Sequence, residues 1–147
     1  MNKRVIKVLG IIGISLLLSC KTYHIPLESF ITQFETLDST DLKMVSIYGA
    51  VTGSYLANPI ERIKCLDKKG NSIELVNSPS IEIRFTHGAK NKKTIMYFDR
   101  VMLSDSIIYG AQSRIISSMI KSVQVNQVSE IEIQDGHKNY HYFDNQN

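Results

Sequence analysis

Between Ile81 and Thr86 the chain alternates strictly: Ile81, Ile83 and Phe85 are apolar, and Glu82, Arg84 and Thr86 are polar. A period of two belongs to a strand with one buried and one polar face. The same habit governs most of the sequence. Residues 44–51 are rich in β-forming side chains and end near Gly53. Residues 60–66 and 72–76 flank Asp67-Lys68-Lys69-Gly70-Asn71, a turn-rich connection of hairpin type. Asn77-Ser78-Pro79-Ser80 breaks the chain, residues 88–93 read as a loop, 94–103 as a longer strand and 106–109 as another. Residues 111–121 fit neither period, and Val123 and Val125 open the last strands. The expected fold is mainly β (α+β): a compact antiparallel sheet, roll or small barrel with one N-terminal amphipathic helix.

That helix is the one clear departure from the period of two. Leu27, Phe30, Ile31, Phe34 and Leu37 form a one-sided stripe. Pro26 suits the first helical turn, Glu28 suits the positive end of the helix dipole, and Asp38-Ser39-Thr40-Asp41 ends the segment. The polar face (Glu28, Ser29, Thr32, Gln33, Glu35) holds no lysine or arginine. A membrane-surface helix is basic there, so the stripe is expected to pack on a sheet.

Near the C-terminus, Asp135-Gly136 is a two-residue hairpin signal. Pairing outward from it sets Ile133 opposite Lys138, Ile131 opposite Tyr140 and Glu130 opposite His141. One face then carries Ile131, Ile133, Tyr140 and Tyr142, and the other Glu130, Glu132, Gln134, His137, Asn139 and His141, with Lys138 snorkelling at the tip. A faint repeat matches Asn58, Ile60, Ile63, Cys65, Asp67 and Asn71 to Asn126, Val128, Ile131, Ile133, Asp135 and Asn139. Both copies read as strand-turn-strand, which two amphipathic hairpins share by chance as readily as by duplication.

The first nineteen residues follow other rules. Lys3, Arg4 and Lys7 precede an apolar run from Val8 to Leu18, and the segment closes on Leu17-Leu18-Ser19-Cys20. The run is shorter than the roughly 20 apolar residues a membrane span needs. A basic start, a short apolar centre and a small residue at the end make a secretory signal. Because it ends on cysteine, it resembles a bacterial lipoprotein signal. The resemblance implies cleavage by signal peptidase II after Ser19, with a diacylglycerol thioether and an N-acyl group on Cys20. The chain then divides into a signal (1–19), a tether (20–25) and a single β-rich domain with its N-terminal helix (26–147).

Composition agrees with one domain. The 128 residues from Cys20 onward suffice for a core. The formal charge of +3 misleads, because three of the seventeen lysines and arginines precede Cys20 and no acidic residue does. Fourteen basic residues then face fourteen acidic ones, which excludes the basic surface of a nucleic-acid binder. With lipid on Cys20, Cys65 has no disulfide partner and, beside Ile63, reads as a small buried hydrophobe.

The chain shows no P-loop, dinucleotide fingerprint or G-x-S-x-G elbow. His137 and His141 have metal-ligand spacing, but on a strand they stand roughly 13 Å apart, too far for one zinc ion. His141 is better paired across the hairpin with Glu130. Glu130 and Glu132 share a strand face, as a general acid and base would, yet alternating Glu-Ile-Glu is the pattern of a solvated face. Asp99-Arg100 and Ser113-Arg114 read as charge pairs or loop anchors. Lys90, Lys92 and Lys93 make a basic loop tip; such a tip can touch anionic head groups, but three lysines there are better read as keeping a hairpin tip solvated. No catalytic residue, metal ligand or cofactor is assigned.

Several stretches together resemble a family of small lipoproteins of Gram-negative gut bacteria. They are Lys21-Thr22-Tyr23 with Ile25-Pro26, Leu56-Ala57-Asn58-Pro59-Ile60, Asn77-Ser78-Pro79-Ser80-Ile81-Glu82-Ile83-Arg84-Phe85, Tyr97-Phe98-Asp99-Arg100-Val101, Ser113-Arg114 and Ile131-Glu132-Ile133-Gln134-Asp135-Gly136. The resemblance brings no activity with it. Inner-membrane retention in such proteins goes with Asp after the lipidated cysteine; Lys21 departs from that, which implies the outer membrane. The acidic run resembling a surface-export signal is absent from residues 21–25, which implies its periplasmic side. The functional expectation is a non-enzymatic binding or structural module, held to the membrane by Cys20, with an envelope protein or glycan as partner. The rival is a small-molecule carrier or an enzyme whose site is assembled from residues distant in sequence.

Overall fold

A computed structural model describes residues 21–114 and 116–143. Cys20, Ser19 and the rest of the expected signal lie outside them. The described chain is mainly β, with three antiparallel sheets and one α-helix.

The main sheet has six strands. They are β1 (Thr22–His24), β4 (Arg62–Leu66), β5 (Ser72–Val76), β6 (Ile81–His87), β7 (Lys92–Tyr97) and β11 (Val128–Asp135). Their order is β5-β4-β1-β11-β6-β7. The second sheet runs β10-β9-β8, from β8 (Met102–Ser104), β9 (Ile107–Ala111) and β10 (Ile120–Gln124). The third runs β12-β2-β3, from β2 (Lys43–Gly49), β3 (Gly53–Ala57) and β12 (Tyr140–Tyr142).

Helix α1 (Leu27–Phe34) closes the core as its stripe requires. Phe30 and Phe34 are fully buried and stack at 4.6 Å between ring centroids. Phe30 meets Phe85 of β6 edge-on at 5.5 Å, and Phe34 meets Phe98 at 5.6 Å. Ile63, Cys65, Ile83, Ile131 and Ile133 complete this core from the main sheet, and Val101, Ile108 and Val123 continue it beneath the second. On the helix's polar side, Gln33 holds the backbone of Lys64 from both ends of its amide, donating to the Lys64 carbonyl (3.1 Å) and accepting from its N–H (2.8 Å).

Three expectations are corrected here. Thr22–His24 is not a tether: it is the strand between β4 and β11, with Tyr23 opposite Ile133. Residues 94–103 are not one strand, because a 3₁₀ turn at Phe98–Arg100 ends β7 before β8 begins. Asn58 holds this corner; its side-chain amide donates to the carbonyls of Phe98 (2.8 Å) and Val101 (3.1 Å). The Asp135-Gly136 hairpin does not form either. With β1 on one side of β11 and β6 on the other, no edge remains for Tyr140–Tyr142. That strand crosses to β2 instead, with Tyr140 opposite Gly49 and Tyr142 opposite Ile47.

Local geometry fits the crossing. His137, not Gly136, takes the positive φ of 47°, and Asp135 accepts its N–H at 2.9 Å. Gly136 donates to the Ser80 carbonyl at 2.9 Å, close enough that a Cβ there would stand 3.0 Å from that oxygen. Gly49, at φ 137°, lets the backbone of Asn139 approach to a place that any side chain would fill. The second copy of the sequence repeat is therefore not a hairpin, whereas the first, β4–β5 around residues 67–71, is.

Candidate functional site

The three sheets meet at one buried ion pair. Asp99 lies in the 3₁₀ turn after β7, and Arg114 follows β9; both side chains are completely buried. The guanidinium donates to Asp99 Oδ1 at 2.8 Å and to Oδ2 at 3.2 Å. Tyr55 of β3 and Tyr142 of β12 donate their hydroxyls to Oδ2 at 2.5 and 2.8 Å. Arg114 also donates to the Pro79 carbonyl at 2.5 Å. Its guanidinium lies over the rings of Tyr97 (3.9 Å) and Tyr55 (4.7 Å). A charge taken out of water needs this degree of pairing.

The network continues to the surface. Lys138 donates to the Tyr97 hydroxyl at 3.0 Å and to Glu82 at 2.6 Å. Burial, and then the neighbouring Asp99 charge, hold the hydroxyls of Tyr55 and Tyr142 far above the ordinary tyrosine range. Both stay protonated and act as donors. Asp99 accepts four hydrogen bonds, three on Oδ2 and one on Oδ1, so the cluster joins sheets and holds side chains in place.

Beside it opens a cleft of about 570 Å³ between the β2–β3 hairpin, the 3₁₀ turn and the segment after β9. Ile47, Thr52, Tyr55, Arg100, Arg114 and Ser117 are among the residues that line it. No carboxylate is among its described lining residues. Arg100 sits half-buried over the Tyr55 ring, 5.1 Å from its centroid.

The residues singled out from sequence are spread over the molecule. Asp99 and Arg114 come together, although 15 residues apart, whereas the adjacent pairs Asp99-Arg100 and Ser113-Arg114 are not the operative ones. Cys65 is buried, as expected, and burial pushes its thiol up to about 11. His141 does not face Glu130. It lies against the ring of Tyr48 at 5.3 Å and bonds Asn139 at 2.7 Å. His137 stands in the turn before β12 rather than on a strand. Glu130 meets His24 at 3.6 Å, while Glu132, largely buried, is flanked by Arg84 (3.6 Å) and Lys93 (3.7 Å). Glu132 is therefore part of a charge ladder and not a solvated carboxylate.

His24, Glu130 and Glu132 bring three potential metal-ligand atoms within 4.8 Å of one another, a grouping that the sequence reading missed. The donor types suit a divalent ion, but Arg84 and Lys93 already neutralise Glu132 and would repel a cation. Elsewhere, Met44 and Leu56 stand opposite each other on the outer face of the third sheet, both exposed, near Tyr48 and Phe143. No known protein family, curated protein or solved structure matches this chain.

Proposed function

We propose that this chain is a lipid-anchored envelope protein of the small-lipoprotein type, whose domain binds another molecule and performs no chemistry on it. Cys20 carries the lipid, the signal is removed after Ser19, and the domain rests on the periplasmic side of the outer membrane. The observation that carries the reading is the meeting of two boundaries. The signal pattern ends at Cys20, and β1 begins two residues later, in the middle of the main sheet. An acylated Cys20 would hold the folded body directly against the bilayer. Lys21, Lys68 and Lys69, with Asp67 among them, line one hollow at that end and leave it net basic.

Binding is supported by the cleft beside Tyr55, and a structural role for the cluster by the way Asp99 ties Arg114, Tyr55 and Tyr142 together. Labelling with a radioactive fatty acid tests the anchor. Wild type should incorporate label and Cys20→Ser should not; equal label in the two would reject the anchor.

A further inference from the structure

The charges at the cleft do not balance. Asp99 pairs with Arg114, and its one negative charge faces two guanidinium groups, Arg114 in contact and Arg100 without a hydrogen bond or ion pair to it. Arg100 remains. Among the described residues its side chain forms no hydrogen bond and no ion pair; it lies over the ring of Tyr55, as the Arg114 guanidinium also does. Burial first, and then the like charge of Arg114, weaken its hold on its proton by more than Asp99 and Tyr55 strengthen it. Arg114, fully buried, also has one unused donor, since its Nε–H meets no acceptor. A guanidinium held half-buried against a second guanidinium, at the mouth of a cleft without carboxylates, is unfavourable until an anion enters.

We infer that the cleft between the β2–β3 hairpin and the Phe98–Arg100 turn is a binding site for an oxyanion, a phosphate or carboxylate group of the ligand, with Arg100 as its principal charge. Arginine suits both groups because its planar donors match paired oxygens. Thr52 and Ser117 bring hydroxyls to the same lining, and Ile47 and the Tyr55 ring give an apolar wall for the rest of the molecule. The ligand is thus an amphiphilic molecule with one anionic group. A strongly cationic ligand is excluded by the same charges.

This inference rests on the reading of the domain as a binding module, yet the two fail separately. The test uses the full chain, purified from membranes in a nonionic detergent, and follows thermal unfolding at constant ionic strength while chloride is exchanged for inorganic phosphate or acetate. Wild type should gain melting temperature with at least one of the two. A larger response to phosphate assigns a phosphate-bearing ligand, and a larger response to acetate assigns a carboxylate-bearing one. Arg100→Gln should weaken the apparent affinity by about tenfold or more, the effect of losing one charge-assisted hydrogen bond. Arg100→Lys should retain part of it. In chloride, Arg100→Gln should melt no lower than wild type, because it removes a repulsion and breaks no ion pair. Equal anion responses in wild type and Arg100→Gln, or no response beyond chloride, would overturn the inference. Loss of fatty-acid label from a chain that still responds to the anion would remove the anchor and leave the site standing.

Discussion

Replacing Asp99 by asparagine tests the junction of the three sheets. The substitution keeps the side chain's shape and removes its charge. Asp99 accepts from Arg114 twice, at 2.8 and 3.2 Å, and from Tyr55 and Tyr142 at 2.5 and 2.8 Å. An asparagine offers one acceptor oxygen and turns an NH₂ donor toward groups that are themselves donors. Arg114 is then a fully buried cation whose remaining described acceptor is the Pro79 carbonyl. Breaking a buried pair on one side costs about 3–5 kcal/mol, a large part of the ~5–15 kcal/mol that holds a domain folded. Asp99→Asn should therefore lower the unfolding free energy measured by equilibrium urea denaturation by that amount. Adding Arg114→Met removes the stranded charge, so the double variant should be more stable than the sum of the single losses by about 2–3 kcal/mol. A cost below about 1 kcal/mol for Asp99→Asn, or strict additivity, would refute the claim that this ion pair ties the sheets together.

Two further outcomes follow from the core. Phe34→Ala empties a fully buried site between Phe30 and Phe98 and should cost about 3–5 kcal/mol by the same assay; an unchanged midpoint would mean that α1 does not pack on the sheet. Cys65 should resist a thiol reagent at pH 8 until the chain unfolds. Its pKa is raised from 9.0 to about 11 in the fold, so above pH 9 the unfolded chain gives up this proton first. Stability should then fall as pH rises from 9 toward 11, as the raised Tyr55 and Tyr142 hydroxyls also require; a flat profile across that window would contradict it.

The strands and the helix were legible because their signals are local. Alternation at Ile81, Ile83 and Phe85 and the stripe through Phe30 and Phe34 decide which face is buried without knowledge of neighbours. Register was not legible, because it depends on which strand reaches an edge first. The sequence pattern placed Tyr140 on Ile131, but Thr22–His24 occupies that side of β11. Three strand residues carry no periodicity to announce them, so misreading Thr22–His24 as a tether and forming the wrong hairpin are one error. The long strand over 94–103 failed for a related reason: its apolar residues continue through the corner, and what turns the chain is Asn58, some 40 residues away. The site was half visible. Asp99, Arg100 and Arg114 all stood out as charges in strand-like surroundings, but the pairing of Asp99 with Arg114, and the placing of Arg100 over Tyr55 without an ion pair among the described residues, arise only where three sheets converge.

The most direct measurement is the mass of the N-terminal peptide of the protein recovered from the membrane fraction. A lipid-anchored envelope protein requires that peptide to begin at Cys20 and to carry a diacylglycerol thioether and an N-acyl group. A mature chain that begins elsewhere, or a Cys20 that bears no lipid, would contradict it.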